Sequence, residues 1–380
     1  MDDKRKAAVP VPSVGADGEQ PIHNNCITSI STNPEEINSQ AEFFEEDLDM
    51  ERVLARMNDP NYLHTVSMNQ LYDTSYQNRP VVIEGLLHSG TYIFAGAPKV
   101  GKSFFMGQLA YHVSTGKKLW DYEVHPGTVL YLALEDDYQR LQERMYRMFG
   151  VEGTDKLHFA VCAKSLGKGL DEQLTDFLRE HPDTRLIIID TLQKIREVSG
   201  EAYSYASDYD VISRLKAFAD SKGICLMLVH HTRKQQAGDK FEMISGTTGI
   251  LGSADGAFLL QKEKRTDLSA TLDIVGRDQP DQKLYLIRDQ ERLCWNFDHA
   301  ETEVWKQPPD PILEKLNSSI QEEWSGTATE LLALLGMEMR PNAFSRYLNV
   351  NKGRLAKDYA IDYQTQRTHS GRTVTLKRIP

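Results

Sequence analysis

One segment of the sequence has the residue types and the spacing that hold a phosphate group. Residues Gly96–Ser103 are Gly-Ala-Pro-Lys-Val-Gly-Lys-Ser, which fits the pattern G-x-x-x-x-G-K-[ST]. Glycines let the backbone N–H groups converge on one point, and a helix that starts at this point adds its N-terminal donors. We expect Lys102 to reach the β- and γ-phosphates of a nucleotide and the Ser103 hydroxyl to ligate Mg²⁺. The alternative is a glycine-rich turn that contains a lysine by chance.

Acidic residues follow two other apolar runs. Asp190 directly follows Leu186–Ile189, and a carboxylate at such a strand end beside a phosphate loop is placed to hold the Mg²⁺. Glu135 follows a second run, and we assign to it the orientation or deprotonation of the attacking water. The alternatives are a turn-capping role for Asp190 and helix capping for the acidic cluster, which suits Asp136 or Asp137.

Two adjacent histidines, His230 and His231, end a further apolar run. Neighbouring side chains of a strand point to opposite faces, so this pair is poorly placed to share one metal ion. We expect one imidazole to hydrogen-bond the γ-phosphate, and the alternative is a satisfied strand-end histidine. The residues predicted to bind the nucleotide are Gly96, Ala97, Pro98, Lys99, Val100, Gly101, Lys102, Ser103, Phe104, Asp190 and His230.

The runs that end in these residues alternate with helical patterns between about Gln77 and Phe297. Five runs are predicted as buried strands: Thr91–Ala95, Thr128–Leu134, Leu186–Ile189, Ile224–Val229 and Ala257–Leu260. Their alternation with helices indicates an α/β fold with a mainly parallel sheet covered on both faces. Period-two alternation then predicts three antiparallel edge strands at Thr271–Val275, Lys283–Ile287 and Leu293–Phe297.

Composition excludes several classes of protein. The four cysteines are far apart and form no CxxC pair, which argues against a disulfide scaffold, a zinc ribbon or an iron–sulfur cluster. The apolar runs are too short to cross a bilayer, and the N-terminus does not resemble a secretory signal, so we expect a cytoplasmic protein with no membrane contact. The net charge of −11 disfavours nucleic acid as a partner, but residues 341–380 carry eight Lys or Arg and only two Asp.

Shifts in composition predict five segments. Residues 1–40 are expected to form a disordered tail, and residues 41–76 an acidic helical segment with an amphipathic helix at Ala41–Met57. The nucleotide-binding domain is predicted at residues 77–305. Three prolines between 306 and 311 mark a linker at 306–322, which a small domain at 323–380 follows.

The ordered motifs GAPKVGKS, LYLALEDD, RLIIIDTL and LMLVHHTRK resemble those of the RecA-like P-loop ATPases. Within that group they are similar to the branch of the hexameric plasmid helicase RepA and the AAA-type ATPases of mobile elements. The resemblance implies ATP and Mg²⁺ as cofactors, Glu135 as the catalytic glutamate, Asp190 as the magnesium aspartate and His231 as the γ-phosphate sensor. It also implies a hexameric ring with ATP between subunits and single-stranded DNA at the core.

The resemblance further implies a basic finger that reaches ATP from the neighbouring subunit. The strand Gly256–Leu260 has no arginine, so the candidates for this trans finger are Lys262, Lys264 and Arg265. The segment Arg233–Phe241 matches the DNA-facing loop.

The C-terminal segment resembles a winged helix–turn–helix domain, with three helices and a two-stranded wing between Ala328 and Ile379. Its third helix and wing turn place cations where phosphates would be met, so we expect contact with DNA, in particular duplex DNA, or with RNA. A protein-binding domain with a solvated basic face is the alternative. The candidate DNA contacts are Arg233, Lys234, Lys352, Arg354, Lys357, Arg367 and Arg372.

These expectations favour an ATP-hydrolysing motor on DNA, of the replicative-helicase type and encoded by a plasmid or mobile element. Two alternatives remain. One is an ATP-gated DNA-binding regulator or helicase loader with slow turnover. The other is a recombination or repair ATPase that forms filaments on single strands.

Overall fold

The structure is a computed structural model of the 380-residue chain. It describes residues 63, 65–76, 79–196, 205–232, 240–244, 248–277, 279–301, 309–368 and 371–379. The expected tail at 1–40 and the expected helix Ala41–Met57 lie outside these residues, as do Arg233, Lys234 and the side chain of Arg367.

A nine-stranded sheet forms the centre of the larger unit. Its strands are β3 (Gly90–Gly96), β4 (Thr128–Ala133), β5 (Leu157–Ala160), β6 (Thr184–Asp190), β7 (Cys225–His231), β8 (Gly256–Gln261), β9 (Ser269–Gly276), β10 (Gln282–Arg288) and β11 (Trp295–Ala300). The order across the sheet is β11-β10-β9-β8-β3-β7-β6-β4-β5. The strands from β8 to β5 are parallel, whereas β9, β10 and β11 pair antiparallel. The predicted α/β fold with antiparallel edge strands is confirmed.

Side chains alternate between two hydrophobic cores, one on each face of the sheet. Along β3, Phe94 packs into one core, and Ile93 and Ala95 pack into the other. The helices that cover the faces are α2 (Lys102–Thr115), α3 (Tyr138–Phe149), α4 (Leu170–Glu180), α5 (Leu192–Ile195), α6 (Tyr205–Lys222) and α7 (Thr248–Ser253). Short elements precede the sheet: α1 (Met68–Asp73), β1 (Val81–Ile83) and β2 (Leu87–His88).

The smaller C-terminal unit has its own core. It contains α8 (Pro311–Ser319), β12 (Glu323–Thr327), α9 (Ala328–Leu335), α10 (Pro341–Val350), α11 (Lys352–Tyr359), β13 (Ile361–Thr368) and β14 (Gly371–Arg378). Its strands form an antiparallel sheet in the order β12-β14-β13. The buried Phe344, Tyr363 and Leu376 join the helices to the hairpin β13–β14.

Helix α8 lies within the segment 306–322 that the sequence indicated as a linker. Asp310 caps its N-terminus by accepting from the N–H groups of Ile312 and Leu313, and Pro311 occupies the first helical position. Leu313 and Leu316 are buried in the C-terminal core. The proline cluster that indicated a break therefore also starts a helix of the second unit.

Candidate functional site

The glycine loop joins the end of β3 to the start of α2, as predicted. Gly101 has φ 113°, and a Cβ at this position would lie 2.9 Å from Cζ2 of Trp295. Only glycine fits this backbone conformation and this close contact without strain. The loop conformation thus depends on a residue of the distant strand β11, since the Trp295 indole N–H also donates to the Gly101 carbonyl at 3.3 Å.

Lys102 is buried at the base of the loop, with 6% of its surface exposed. Its ammonium donates to the carbonyls of Gly96 at 2.9 Å and Ala97 at 3.1 Å. Burial lowers the pKa of Lys102, and the nearby Asp190 and Glu135 carboxylates oppose that shift. The cation is thereby held at the point where the loop would place phosphate oxygens.

Asp190 and Ser103 meet directly. The Ser103 hydroxyl donates to Oδ2 of Asp190 at 2.7 Å. The parallel register brings the two groups together, because α2 begins over the carboxyl ends of β3 and its neighbours and Asp190 ends β6. A hydroxyl and a carboxylate at one point are the oxygen donors that Mg²⁺ uses beside its water ligands, so these residues fit the ion. Burial raises the pKa of Asp190, and its hydrogen bonds from Ser103 and Tyr131 act in the opposite direction.

Tyr131 is a member of the site that the sequence did not indicate. Its hydroxyl donates to Oδ2 of Asp190 at 2.9 Å from within the apolar strand β4, and the side chain is fully buried. The Asp190 carboxylate is thus fixed from two sides. A tyrosine within an otherwise aliphatic run, two residues before the strand ends at Ala133, was the available signal.

Glu135 lies beside Asp190 because their strands are neighbours, with Ala133 paired to Asp190. Its Oε1 accepts a hydrogen bond from the Thr191 hydroxyl at 3.1 Å, and its side chain is exposed. A carboxylate in this position can receive a proton from water at the same edge of the sheet.

The two acidic residues after Glu135, Asp136 and Asp137, both have structural roles at the start of α3. Asp137 caps α3 by accepting from the Arg140 N–H at 2.9 Å. Asp136 forms an ion pair with Arg144 at 2.7 Å. Neither contact involves Glu135, which leaves that carboxylate available for chemistry.

His231 contacts the loop lysine. Its Nδ1 lies 3.2 Å from Nζ of Lys102, at the register position where His231 pairs with Gly96. Burial lowers the pKa of His231, and the Lys102 cation lowers it further. The neutral imidazole therefore accepts from the ammonium through Nδ1 and carries its proton on Nε2. The neighbouring His230 is buried.

Aromatic and cationic side chains form the outer wall of the loop. The Phe104 ring has the Arg288 guanidinium carbon 4.4 Å from its centroid and that of Arg144 at 5.1 Å. Lys262 lies over Trp295, with 5.3 Å between its Nζ and the ring centroid. The sequence did not indicate Arg144, Arg288 or Trp295, because each comes from a different, distant element.

The three candidate finger residues lie on the same sheet edge as the loop of their own chain, since β8 runs parallel to β3. Lys262 donates to the carbonyl of Asp267 at 2.7 Å. Lys264 and Arg265 are exposed.

Several candidate DNA contacts already have partners within the chain. The Lys357 ammonium lies 2.6 Å from Glu84 of the larger unit. Arg354 is paired with Asp358 at 3.3 Å and lies 3.7 Å from Asp310. Arg372 reaches α1, and Lys352 is half-buried.

Within the described ranges, no helix combines the length and the apolar character needed to cross a membrane. The same part of the chain holds no group of three or more His, Cys, Asp or Glu side chains suited to a metal ion.

Comparison with known proteins identifies the region that contains the site. A family model for the AAA domain, AAA_25, matches residues 58–237, which include the loop, Glu135, Asp190 and His231. No curated protein matches the chain.

Two solved structures are similar to the chain. One is an ATPase domain, with 15% identity over 68% of this chain and 100% of that chain, and a TM-score of 0.47. The other is a DnaB-like replicative helicase described with its interactions with primase, with 14% identity over 66% of this chain and 74% of that chain, and a TM-score of 0.48.

The strand order itself defines the class of fold. The strand that leads into the phosphate loop, β3, is separated from the strand of Asp190, β6, by one strand that ends in His231. The larger unit is therefore a RecA-like α/β domain with a phosphate loop.

Proposed function

We propose that this chain is an ATP-hydrolysing motor that acts on DNA, similar to the RepA-type replicative helicases of plasmids and mobile elements. One observation carries the proposal: Lys102, Ser103, Asp190, Glu135 and His231 converge at one edge of the sheet. The AAA-domain match over 58–237 supports the nucleotide-binding part.

Each residue has a separate task in this proposal. The loop amides and Lys102 bind the phosphates, and Ser103 and Asp190 hold Mg²⁺. Bound Mg²⁺ would neutralise charge that develops on the phosphate oxygens. Glu135 orients a water and takes its proton, while Thr191 holds the carboxylate in place.

His231 is suited to sense the nucleotide. Its Nδ1 accepts from the Lys102 ammonium, so a phosphate that binds this ammonium competes with His231 for it. His231 lies two residues before Arg233, where the segment that the resemblance assigns to DNA begins. We further propose that the C-terminal unit is a winged helix that adds a second DNA contact and that the active form is a hexameric ring.

The test combines hydrolysis with assembly. ATP turnover is measured with and without single-stranded DNA, alongside the mass of the assembly in ATP and Mg²⁺. A DNA-stimulated rate in a ring-sized particle supports the motor. A rate that is indifferent to DNA, from a protein that stays monomeric, contradicts it.

One observation favours a second function, an ATP-gated regulator or loader. Lys262, the first candidate finger, is held by Asp267 and lies over Trp295 of its own chain. A subunit whose basic finger is held within its own chain in this way would turn ATP over slowly. Unwinding of a forked duplex distinguishes the two, because only the motor separates the strands.

A further inference from the structure

Helix α1 lies against the C-terminal unit through two residues: the Tyr72 carbonyl accepts from the Asn349 side chain at 3.0 Å, and Asp73 binds two arginines. The Arg346 guanidinium, on α10, donates to the Asp73 carboxylate from Nε at 2.8 Å and from Nη2 at 3.4 Å. Arg372, on β14, donates from Nη2 to the Asp73 carbonyl at 3.5 Å. Asp73 therefore holds arginines from a helix and from the hairpin at the same time.

Helix α10 is the second helix of a helix–turn–helix arrangement. It follows α9 after a turn that contains Gly336 in the left-handed conformation, and the two helices pack together. Its less buried residues Ala343, Arg346 and Val350 recur every three or four positions and form one face. The second helix of such an arrangement is the one that meets DNA in proteins of this architecture.

This position agrees only in part with the one that the sequence indicated. The sequence placed phosphate contacts on α11 and on the wing turn, but Arg354 and Lys357 of α11 are committed to Asp358 and Glu84. Arg372, a predicted contact, and Arg346, which the sequence did not indicate, both donate to Asp73 of α1.

Helix α1 leaves part of this face open. An open cleft of about 910 Å³ lies along α10 beside Tyr72 of α1. Its lining holds the polar side chains of Tyr72, Tyr347, Asn342, Asn351, Arg340 and Arg346, together with the apolar Pro341, Ala343 and Val350. Arginine, asparagine and tyrosine side chains are among those that contact a nucleic-acid backbone.

We propose that the α10 face and Arg372 bind the phosphate backbone of duplex DNA, and that Asp73 covers them as a substitute for phosphate. The inference rests on the proposed DNA-directed function. A carboxylate and a phosphate both accept two parallel N–H donors from one guanidinium, so Asp73 and a phosphate compete for Arg346. DNA binding at this face therefore requires α1 to move away.

The ion pair is weak enough to be displaced. The Arg346 and Asp73 side chains are 37% and 45% exposed, and an exposed pair of this kind contributes little to stability. DNA offers several phosphates at once and releases counterions when they are neutralised. The contact thus reduces DNA affinity without abolishing it.

The test measures binding of a labelled DNA duplex to the full-length protein by fluorescence anisotropy at several salt concentrations. Asp73→Asn is expected to raise the affinity about two- to fivefold, the range expected for loss of one exposed pair. Glu322→Gln is the matched control: it removes the same charge, and Glu322 precedes β12, at the opposite end of the β12–β14 ladder from Arg372. The control is expected to leave the affinity unchanged.

A second variant identifies the covered residue. Arg346→Gln is expected to lower the affinity and to reduce the salt slope by about one, as for loss of one phosphate contact. In the Arg346→Gln background, most of the gain from Asp73→Asn is expected to disappear. Thermal unfolding of each variant confirms that it is folded.

Two results overturn the inference. One is equal affinity for Asp73→Asn, Glu322→Gln and the unchanged protein, and the other is an Asp73→Asn gain that persists without Arg346. Either result assigns the α1 contact to the joint between the units or to a protein partner. ATP turnover, measured on the same samples, separates this failure from failure of the motor: DNA-stimulated hydrolysis can persist when the covering contact is disproved.

Discussion

The nucleotide edge of the sheet and the joint between α1 and the C-terminal unit hold their charges in different ways. At the edge, Lys102 and Asp190 are each 6% exposed; Lys102 contacts His231, and Asp190 accepts from Ser103 and Tyr131. At the joint, the Asp73 and Arg346 side chains remain partly exposed to solvent. A buried charge that loses its partner costs about 3–5 kcal/mol, whereas an exposed pair contributes roughly 0–1 kcal/mol. The comparison indicates that the edge is built to be rigid and that the joint can open.

The largest expected effect is at Glu135. Glu135→Gln retains the shape and the Thr191 contact but cannot accept a proton, so the ATP turnover rate should fall about 10²-fold or more while ATP binding persists. Glu143→Gln, on the exposed face of α3, is the matched control and should hydrolyse normally. Steady-state turnover and nucleotide titration measure the two quantities. Normal hydrolysis by Glu135→Gln would remove Glu135 from its assigned role.

Substitution of Gly101 tests whether the nucleotide edge is as rigid as its packing indicates. In Gly101→Ala the new methyl group meets Trp295 at 2.9 Å, and the backbone keeps an unfavourable φ of 113°. Nucleotide affinity should fall about tenfold or more, as expected if the strain costs about 1–3 kcal/mol. Gly153→Ala is the control, because a Cβ there has no neighbour within 4 Å. Equal affinities for the two variants would show that the loop is not held by Trp295.

A smaller effect at the same edge is expected from the protonation of His231, which breaks its contact with Lys102. Burial and the Lys102 cation lower the pKa of His231 below its ordinary value of about 6.5. The contact with Lys102 therefore persists above pH 6.5 and is lost as the pH falls through the lowered pKa, when the protonated imidazole repels the ammonium. Titration followed by NMR should show this histidine titrating below the ordinary value of about 6.5, and Lys102→Met should shift its pKa upward. An ordinary pKa in both proteins would contradict the contact.

The smallest effect is expected at a second contact between the larger unit and the C-terminal unit, the pair of Glu84 and Lys357. Lys357 and Glu84 are 51% and 26% exposed, so Lys357→Gln should change the free energy of unfolding by less than about 1 kcal/mol. Chemical denaturation measures this change, and Lys377→Gln, whose partner Glu323 is 3.9 Å away, serves as a comparison. A loss of several kcal/mol at Lys357 would mean that this contact between the units is as rigid as the edge.

The sequence was sufficient to predict those parts of the site that consist of a short continuous pattern. The glycine loop is contiguous, and Asp190 and His231 end apolar strands, so periodicity alone placed them at one edge. The predicted α/β fold was confirmed for the same reason. The pattern was less informative for β5, whose four residues are all only half-buried, and for α8, where the proline cluster suggested a break.

Contacts between distant elements were not predictable from one sequence. Trp295 reaches Gly101 from β11, and Arg288 reaches Phe104 from β10. In the C-terminal unit, segment charge identified the basic region, but charge does not reveal which cations are already paired. The pairing of Lys357 with Glu84, and of Arg346 with Asp73, depends on how the two units pack.

The central claim is that the loop and the acids of two neighbouring strands bind a nucleoside triphosphate with its divalent ion. Isothermal titration calorimetry of ATP with Mg²⁺ tests this claim on the intact protein and on Lys102→Ala, with Lys118→Ala, an exposed lysine paired with Glu123, as the control. The account predicts saturable heat for the intact protein and the control, and an affinity about 10- to 100-fold lower for Lys102→Ala, the loss expected for hydrogen bonds from a charged group. No heat from the intact protein, or equal affinity in Lys102→Ala, would contradict it.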